Sequence, residues 1–464
     1  MGILSYYRTL LKTHPNIIQQ GPIEIDHLYL DFNGFIHGSL HKLSENEIEI
    51  NEKNILKQCC QDLKDIVEQI KPKKSLFVAI DGVAPKAKMM QQRYRRYKSS
   101  LENKPWDTNA ITPGTDFMKR LAKKLKLFSK KFEINVIISD AAIPGEGEHK
   151  ILQYMKENYN ENDTNEEASC IHGLDADLIM LLLTLEQKNL YIFREQQNDL
   201  APHFVSIDIF RTELGNIANV KDYIYLCFMA GNDFLPHLPS VQIKYKGIEK
   251  MIDFHDKPIL ENNQINKQNY INFLEKLVER EEMMASEISK RSHSQLLVKD
   301  TIRMGSKGWK RRYYQECFGT SEQNDIQQIC FKYWQGLQWT TQYYFEKCPD
   351  WSWFYPYRHA PCVSDLIEVV KQIGYIDFPE NNAYSPIEQL LIVLPPKSKN
   401  LLPESIQELY NDFRFAHLFP ETFEMDKIHK TKEWQCYPIL PEIEESIFRE
   451  IKSTTVLGKL YIKN

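Results

Sequence analysis

Seven acidic residues lie in five short motifs in the first half of the chain, and most of them follow an apolar run. They are Asp31 in HLYLD, Asp81 in SLFVAID, Glu146 and Glu148 in PGEGEHK, Asp175 and Asp177 in GLDADLIM, and Asp233 in AGNDFLPHLP. Ligands of open parallel sheets bind beyond the carboxyl ends of the strands, so acids that close successive strands are expected to converge on one crevice. Converging carboxylates repel each other and require a cation. Mg²⁺ or Mn²⁺ suits them, because hard divalent ions prefer oxygen ligands.

Such a cluster is suited to the hydrolysis of a phosphodiester. Two metal ions about 4 Å apart can activate water, stabilise the leaving oxygen and clamp the substrate for in-line attack, without a serine or cysteine nucleophile. Each acidic pair taken alone is more simply explained as a helix cap or first-turn acid, which the helix dipole stabilises. The five motifs together favour the metal site.

A basic segment, PKAKMMQQRYRRYKSS, follows Asp81. Helical spacing places four of its side chains on one face, namely Lys88, Gln92, Arg95 and Arg96. Guanidinium groups donate paired hydrogen bonds that match the geometry of phosphate, and lysine adds a point charge. A solvated basic face is the commoner fate of such a run. The short turn of residues 82–84 that joins it to Asp81 nevertheless favours a phosphate-binding pocket.

The elements that position these residues follow a regular pattern up to about Leu238. Short apolar runs at residues 27–31, 75–81, 135–139 and 189–193 alternate with helical stretches. This alternation is typical of βαβ units and predicts an α/β fold with a mostly parallel central sheet flanked by helices. We expect residues 1–252 to form this unit, residues 253–300 a charged connector with an exposed helix, and residues 301–464 an aromatic-rich, largely helical second region that completes the active site.

The composition argues against several classes of protein. Of the 464 residues, 42% are hydrophobic, which is typical of a globular chain. The longest apolar run, LIMLLLTL, is far shorter than the roughly 20 residues of a membrane span, and no secretory signal is visible. Nine cysteines, without a CxxC pair, predict reduced thiols in an intracellular protein. The net charge of −5 does not by itself indicate a nucleic-acid partner.

These motifs, in this order, resemble those of the XRN-type 5′-to-3′ exoribonuclease family. The matching strings of its first region are MGILSYYRTL, LYLDFNGFIH, VAIDGVAPKAKMMQQRYRR, NAITPGTDFM, PGEGEHKI, GLDADLIML and LCFMAGNDFLPHLPSV. Those of its second region are GWKRRYYQECFG, GLQWTTQYYFEKCPDWSWFYPYRHAP and LPPKSKNLLP. The resemblance implies a PIN- or flap-nuclease-like sheet with the second region packed against it. It also implies a metal-dependent enzyme that removes 5′-mononucleotides processively from RNA with a 5′-monophosphate.

The resemblance assigns roles to individual residues. The seven acids would be catalytic and would ligate two Mg²⁺ or Mn²⁺ ions, and the four residues of the basic face would bind the 5′-phosphate. His37 would stack on the first base, opposite a tryptophan of the second region. We choose Trp353, with Trp339 and Trp351 as alternatives, although all three could instead be core aromatics. Stacking on aromatics tolerates any sequence and contributes roughly 1–3 kcal/mol per base.

The resemblance is not complete. The family usually has His-Tyr where this chain has Arg358-His359, so roles borrowed from those positions are in doubt. The chain also ends soon after the second region, which predicts a near-minimal catalytic core.

Two other functions stay open. A flap-endonuclease-like DNA nuclease would share the acids, but PHLPSVQIKYKG stands where those enzymes carry a glycine-rich helix-hairpin-helix. A catalytically silent RNA-binding protein is the second. For the exoribonuclease, the expected partner is single-stranded RNA with a 5′-monophosphate, downstream of decapping, with no membrane involved. The expected location is the cytoplasm, with the nucleus as an alternative.

Overall fold

A seven-stranded sheet lies at the centre of the protein, in a computed structural model that describes residues 6–158, 167–173, 175–195, 201–215 and 218–454. Its strands are β1 (Ile18–Gln19), β2 (His27–Asp31), β3 (Ser75–Ala79), β4 (Asn135–Ser139), β5 (Ser169–His172), β6 (Leu190–Arg194) and β7 (His203–Ser206). Their order across the sheet is β1, β7, β6, β5, β2, β3, β4. Strands β4, β3, β2, β5 and β6 are parallel, and β7 runs antiparallel to both β6 and β1. The predicted mostly parallel sheet is confirmed.

Helices cover both faces of this sheet. Those of the first region are α1 (Tyr6–Thr13), α2 (Phe32–Glu45), α3 (Glu52–Ile70), α4 (Lys86–Ser99), α5 (Asp116–Phe128), α6 (Gly147–Asn158), α7 (Asp177–Leu183), α8 (Ile207–Gly215) and α9 (Val220–Met229). Side-chain caps fix several helix starts. The side chain of Asn51 accepts from the Asn54 amide before α3, that of Thr115 from the Met118 amide before α5, and that of Asn219 from the Lys221 amide before α9.

Successive side chains of each strand point to opposite faces of the sheet, and each face has its own apolar core. Leu28 and Leu30 of β2 point to one face, where they pack with residues of α2, α3 and α5. Tyr29, which lies between them, points to the opposite face and packs with α6 and α7. This second core continues into the aromatic region, so the sheet is buried on both sides, as parallel sheets require.

Two helices precede the second region, α10 (Gly247–Phe254) and α11 (Lys267–Ser292). The second region itself is helical and then loop-rich, as predicted. Its helices are α12 (Trp309–Phe318), α13 (Gln323–Phe345), α14 (Val363–Gln372), α15 (Pro386–Val393), α16 (Glu404–Gln407) and α17 (Glu445–Thr454). Two small antiparallel sheets accompany them, formed by β8 (Leu260–Glu261) with β9 (Gln264–Ile265) and by β10 (Met425–Asp426) with β11 (Tyr437–Pro438).

The helix of the expected connector is not simply exposed. One face of α11 carries Phe273, Leu274 and Leu277, which are buried in the same core as the sheet. The other side of this amphipathic helix carries exposed charged residues, which made the segment look like a connector, whereas Glu281 is buried and accepts a hydrogen bond from the Val363 amide. The division into residues 1–252, 253–300 and 301–464 stays a prediction. Among the described residues, no helix is long and apolar enough to cross a membrane.

Candidate active site

The acidic residues lie at the carboxyl edge of the parallel strands. Asp31 is the last residue of β2, Asp81 comes two residues after β3 ends, and Asp175 comes three residues after β5 ends. Glu148 lies in the first turn of α6, and Asp177 is the first residue of α7. The strand order therefore brings together acids that are far apart in the sequence.

Oxygen atoms of several of these acids come within a few ångströms of one another. One oxygen each from Asp31, Glu148 and Asp175 lie within 4.8 Å of each other, and the same holds for ligand atoms of Glu146, Glu148 and His149. Oxygen-rich groups of this size are suited to a hard divalent cation.

Gly147 lets the main chain pass close to Asp31, at the end of β2, and Asp81, after β3. Its amide donates a 2.7 Å hydrogen bond to Oδ1 of Asp81. A Cβ atom at this position would lie 2.7 Å from Oδ1 of Asp31 and 3.3 Å from Oδ1 of Asp81. Only glycine fits here without displacing a carboxylate.

The cation inside the cluster is Lys88 of α4. Its Nζ lies 2.8 Å from Oδ2 of Asp233, contacts Oε2 of Glu146 and lies 4.0 Å from Oε1 of Glu148. These carboxylates raise the pKa of Lys88 well above its ordinary value, although burial acts in the opposite direction. Lys88 therefore reaches from the basic helix into the acids.

One lysine does not neutralise the cluster. Burial, and then the charges of neighbouring acids, raise the pKa of Asp31 and Glu148 well above the ordinary range. Burial and then Asp233 raise the pKa of Asp177 to about 7. Burial acts to raise the pKa of Asp233 as well, but nearby positive charges, that of Lys88 first, lower it on balance. Buried carboxylates that resist ionisation this strongly are a donor set that a divalent cation fits.

Neighbouring polar groups fix the acids in place. Asn33 donates from Nδ2 to Oδ2 of Asp81 (2.8 Å) and accepts from the Asp81 amide (3.1 Å). Lys150 Nζ donates to the carbonyl oxygens of Ile80 and Asp140, both at 2.8 Å, which ties the loops after β3 and β4 together. Sequence reasoning missed Asn33, although it lies two residues after Asp31 in LDFNGFIH.

Sequence reasoning also missed Tyr343 of α13. Its hydroxyl donates a 2.8 Å hydrogen bond to Oε1 of Glu146. Its ring stacks between His149, with centroids 3.9 Å apart, and Trp339, with centroids 4.8 Å apart. The second region thus supplies a direct contact to the acidic site.

The four residues of the basic face have different surroundings. Lys88 lies among the acids, and Gln92 accepts a 3.2 Å hydrogen bond from Gln389 of α15. Arg96 is buried and donates to the hydroxyl of Thr112, whereas Arg95 is exposed. Burial, and then Arg95, lower the pKa of Arg96 to about 9. Two guanidinium groups held this close favour an anion beside them.

His37 of α2 is exposed. Desolvation, and then the charges of Arg95 and Arg96, lower the pKa of His37 to about 4. The arginines of α4 therefore act electrostatically on His37, which is neutral at pH 7.

The tryptophan chosen for base stacking is buried. Trp353 is 6% exposed and stacks on Trp339, with centroids 5.1 Å apart. Of the three tryptophans considered, Trp351 is half-buried and the other two are buried. The Trp351 carbonyl accepts from the amide of Lys86, the first residue of α4. The stacking partner of His37 stays a prediction.

Two family models match this chain. The one described as "XRN 5'-3' exonuclease N-terminus" matches residues 1–105 and 99–196. The one described as "Xrn1 helical domain" matches residues 216–272 and 258–456, about half of the chain. The chain belongs to the XRN 5′-3′ exonuclease family. The first matched part contains β1 to β6 and six of the seven acids, and the second contains Asp233 and the helical region.

Curated relatives share this similarity over nearly the whole chain. "5'-3' exoribonuclease 1" of Homo sapiens is 28% identical over 98% of this chain and 34% of that protein. The protein of the same name from Saccharomyces cerevisiae is 26% identical over 96% of this chain and 42% of its own length. "5'-3' exoribonuclease 2" of Arabidopsis thaliana is 26% identical over 96% of this chain and 66% of that protein. The chain thus spans less than half the length of the first two relatives.

Solved structures show a more distant likeness. The catalytic core of Rad2 in complex with a DNA substrate has a TM-score of 0.39 and 14% identity, over 63% of this chain and 81% of that one. T5 D15 protein co-crystallised with metal ions has a TM-score of 0.33 and 11% identity, over 57% of this chain and 94% of that one.

Proposed function

We propose that this protein is a processive 5′-to-3′ exoribonuclease that degrades 5′-monophosphorylated RNA to 5′-mononucleotides. The observation that carries the proposal is the buried acidic cluster, which Lys88 links to the helix that carries Arg95 and Arg96. This arrangement offers a divalent-cation site and an anion site side by side. The curated names of the relatives point to the same activity.

The acids would hold two Mg²⁺ or Mn²⁺ ions. When bound, such ions lower the pKa of a water molecule and stabilise negative charge on the leaving oxygen. The candidate ligands are the seven acids of the five motifs, among which Asp31, Glu148 and Asp175 already lie within ligand distance of one another. Asn33, Lys150 and Tyr343 keep the acids in place, so little reorganisation accompanies binding.

The basic face would select the RNA end. Arg95 and Arg96 donate to the terminal phosphate, Gln92 adds an amide donor, and Lys88 contributes charge from the side of the acids. A cap or triphosphate adds bulk and charge that these few donors cannot match. His37, which is neutral at pH 7, stacks on the first base.

The opposite face of that base needs an aromatic partner. Trp353 fills this role only if its ring leaves Trp339 or if the base reaches its small exposed edge. Trp351, which is half-buried beside the start of α4, offers more accessible surface. Separate Trp353→Ala and Trp351→Ala variants test the two candidates. Replacing the tryptophan that stacks on the base should weaken RNA binding by more than it lowers stability.

We infer that the substrate arises by decapping, because that reaction leaves a 5′-monophosphate. The protein would therefore act in the cytoplasm, with the nucleus as the alternative compartment. Imaging of a tagged chain, together with RNA sequencing of 5′ ends after its removal, tests this placement.

The activity is tested with 3′-labelled substrates in Mg²⁺ or EDTA. The substrates are 5′-monophosphate RNA, 5′-triphosphate RNA, the same RNA circularised, and a 5′-flap DNA duplex. We expect mononucleotides from the monophosphate RNA alone, without intermediate lengths, and no products in EDTA. Cleavage of the DNA flap would instead indicate a flap nuclease, and RNA binding without products in any metal would indicate a silent binding protein.

A further inference from the structure

A buried arginine lies at the same edge of the sheet as the acids. Arg194 is the last residue of β6 and is 3% exposed. Phe193 of β6 pairs with His172 of the parallel strand β5, so Arg194 lies beside the chain that leaves β5 towards Asp175. Because arginines are almost never fully buried without partners, the groups around Arg194 indicate its role.

Arg194 holds the main chain of Asp175. Its Nη2 donates a 3.2 Å hydrogen bond to the carbonyl oxygen of Asp175. Among the described residues this is the one hydrogen bond that the guanidinium group forms, and its buried Nε has no partner there. The bond uses the main-chain oxygen and none of the carboxylate oxygens. Arg194 can therefore fix the position of Asp175 without occupying an atom that would bind a metal.

Two aromatic side chains hold the guanidinium group in turn. Its Cζ lies 3.7 Å from the ring centroid of Tyr7 in α1, a cation–π arrangement. The Tyr7 hydroxyl lies 2.7 Å from Nε2 of His203, which pairs with Arg194 across β6 and β7. Nδ1 of His203 donates to the carbonyl oxygen of Ala201 (2.8 Å), so the neutral ring accepts from Tyr7 at Nε2. Helix α1 and strand β7 thus support the arginine.

Arg194 also acts electrostatically on two of the acids. Burial lowers the pKa of Arg194, whereas Tyr7, and then Asp175 and Asp177, act to raise it. Oδ1 of Asp177 is buried and accepts no hydrogen bond within the described part of the chain. A cation beside these carboxylates offsets their mutual repulsion, but it also repels a divalent ion. Because holding the acids and repelling the ion change metal affinity in opposite directions, an experiment can separate them.

We propose that Arg194 is a positioning residue of the candidate metal site, which fixes Asp175 through its main chain and is itself held by Tyr7. This inference rests on the proposed function, in which Asp175 is a metal ligand. It adds α1 and β7 to the parts of the chain on which the acids depend.

Arg211 of α8 shows what an arginine with a structural role looks like in this protein. It donates to the carbonyl oxygens of Leu185 (2.9 Å) and Gln187 (3.4 Å) and to Oδ1 of Asp208 (2.8 Å). Oδ2 of Asp208 accepts from the amide of Asn189, which precedes β6, so Arg211 lies at the opposite edge of the sheet. Arg211 is therefore a matched control for Arg194.

The first test measures metal binding without RNA. Mn²⁺ is titrated into each protein, and electron paramagnetic resonance of the free ion gives the Kd. We expect Arg194→Met to raise the Kd about tenfold, as the loss of a group that orients a ligand does. Arg194→Lys should raise it about threefold, because lysine keeps the charge but not the planar group that Tyr7 holds. Tyr7→Ala should also raise it about threefold, and Tyr7→Phe less than about twofold, because the ring remains.

Arg211→Met should lower the melting temperature and leave the Kd for Mn²⁺ unchanged. Tighter Mn²⁺ binding by Arg194→Met would mean that Arg194 acts on the ion as a competing charge. An unchanged Kd with a lower melting temperature would mean that Arg194, like Arg211, has a structural role alone. Either result would overturn the inference.

The same preparations are assayed for hydrolysis of 5′-monophosphate RNA, so that two failures can be distinguished. Arg194→Met should need about tenfold more Mg²⁺ for its half-maximal rate, while its RNA affinity in EDTA stays within about twofold. Wild-type protein that binds Mn²⁺ without degrading RNA would reject the proposed function. Wild-type protein that degrades RNA, with Arg194→Met binding Mn²⁺ equally well, would reject only the positioning role. Arg194→Lys and Tyr7→Ala keep the test valid if Arg194→Met does not fold.

Discussion

Tyr343 and Glu146, which are 197 positions apart in the sequence, are joined by a 2.8 Å hydrogen bond at the boundary between the sheet and the helical region. The ring of Tyr343 stacks on His149 and Trp339 at the same time. One acid of the candidate metal site is therefore oriented by the second region. This contact joins the two matched parts of the family at the acidic site.

Replacing Tyr343 by phenylalanine should lower activity more than stability. The variant keeps the stacked ring but loses one buried hydrogen bond, which contributes about 1 kcal/mol to folding. We expect the rate at saturating RNA to fall about tenfold and the Mg²⁺ concentration for half-maximal activity to rise. Tyr314→Phe is the control, because it removes a 2.9 Å bond to Asp365 away from the site and should affect stability alone. Equal rates for the two variants would contradict the orienting role.

Replacing Gly147 by alanine should abolish hydrolysis while the protein still folds. The added Cβ would lie 2.7 Å from a carboxylate oxygen of Asp31 and would push that side chain away. We expect a rate loss above about 100-fold, with RNA binding retained. Gly38→Ala, in α2, has open space around the new methyl group and should slightly raise stability through helix propensity. Full activity of Gly147→Ala would show that Asp31 is dispensable.

The arginines of α4 should determine which RNA ends are degraded. Arg95→Ala removes an exposed cation and should reduce the preference for 5′-monophosphate over 5′-hydroxyl RNA by about tenfold, with little loss of stability. Arg96→Ala should reduce the preference further and also lower the melting temperature, because Arg96 is buried against Thr112. Competition between the two RNAs in one reaction measures the ratio. Arg449→Ala, at an exposed position of α17, should leave it unchanged.

Asp175 should be required for turnover but not for RNA binding. Asp175→Ala removes one member of the group of three close oxygen atoms and should stop hydrolysis in Mg²⁺. RNA affinity in EDTA should stay within about twofold, because the basic face is intact. Retained turnover, measured in a single-turnover assay, would count against the metal site.

The hydrogen bonds that Asp426 of β10 accepts from His359 and Arg358 should make the stability of the protein depend on pH. The hydrogen bond from His359 lowers the pKa of Asp426, although burial alone would raise it. A lowered folded-state pKa stabilises the protein above the unfolded value of about 3.9, and this contribution is lost as the pH falls toward the folded-state pKa. Asp426→Asn should therefore lower the free energy of unfolding by about 3 kcal/mol at pH 7 and by less near pH 3.

Urea unfolding at pH 7, 5, 4 and 3 measures this difference. The control is Asp412→Asn, because Asp412 pairs with Arg414 at the surface, where solvent screens the charges, and its loss should change the stability little at any of these pH values. If the free energies of unfolding of wild type and Asp426→Asn differ by the same amount across this pH range, β10 is held in place by packing rather than by charge.

The positions of the acids at the ends of strands could be predicted from the sequence. Runs such as SLFVAID carry enough apolar residues to mark a buried strand, so an acid at the end of the run is placed by the sheet itself. The strands β5 and β7 were missed because four-residue segments such as SCIH carry too little pattern. The acids that follow β5 were still recognised, because they lie two apart beside an apolar helix.

Contacts between distant elements could not be predicted. Helical spacing predicts Lys88 and Arg95 on one face of α4, but it does not reveal that Lys88 lies among the acids. The burial of Trp353 likewise depends on α13, since aromatic spacing in a loop does not reveal which ring faces the core. Tyr343 has no local signal at all, because its partner belongs to a different region of the chain.

Lys88 gives the folded chain a counter-ion of its own. Its ammonium group already offsets part of the repulsion among Asp233, Glu146 and Glu148, and it remains available when every divalent ion is chelated. The chain should consequently fold without a divalent ion. If the acids bind Mg²⁺ as proposed, protein stripped of the ion would be folded but inactive, and it would regain activity when Mg²⁺ is returned.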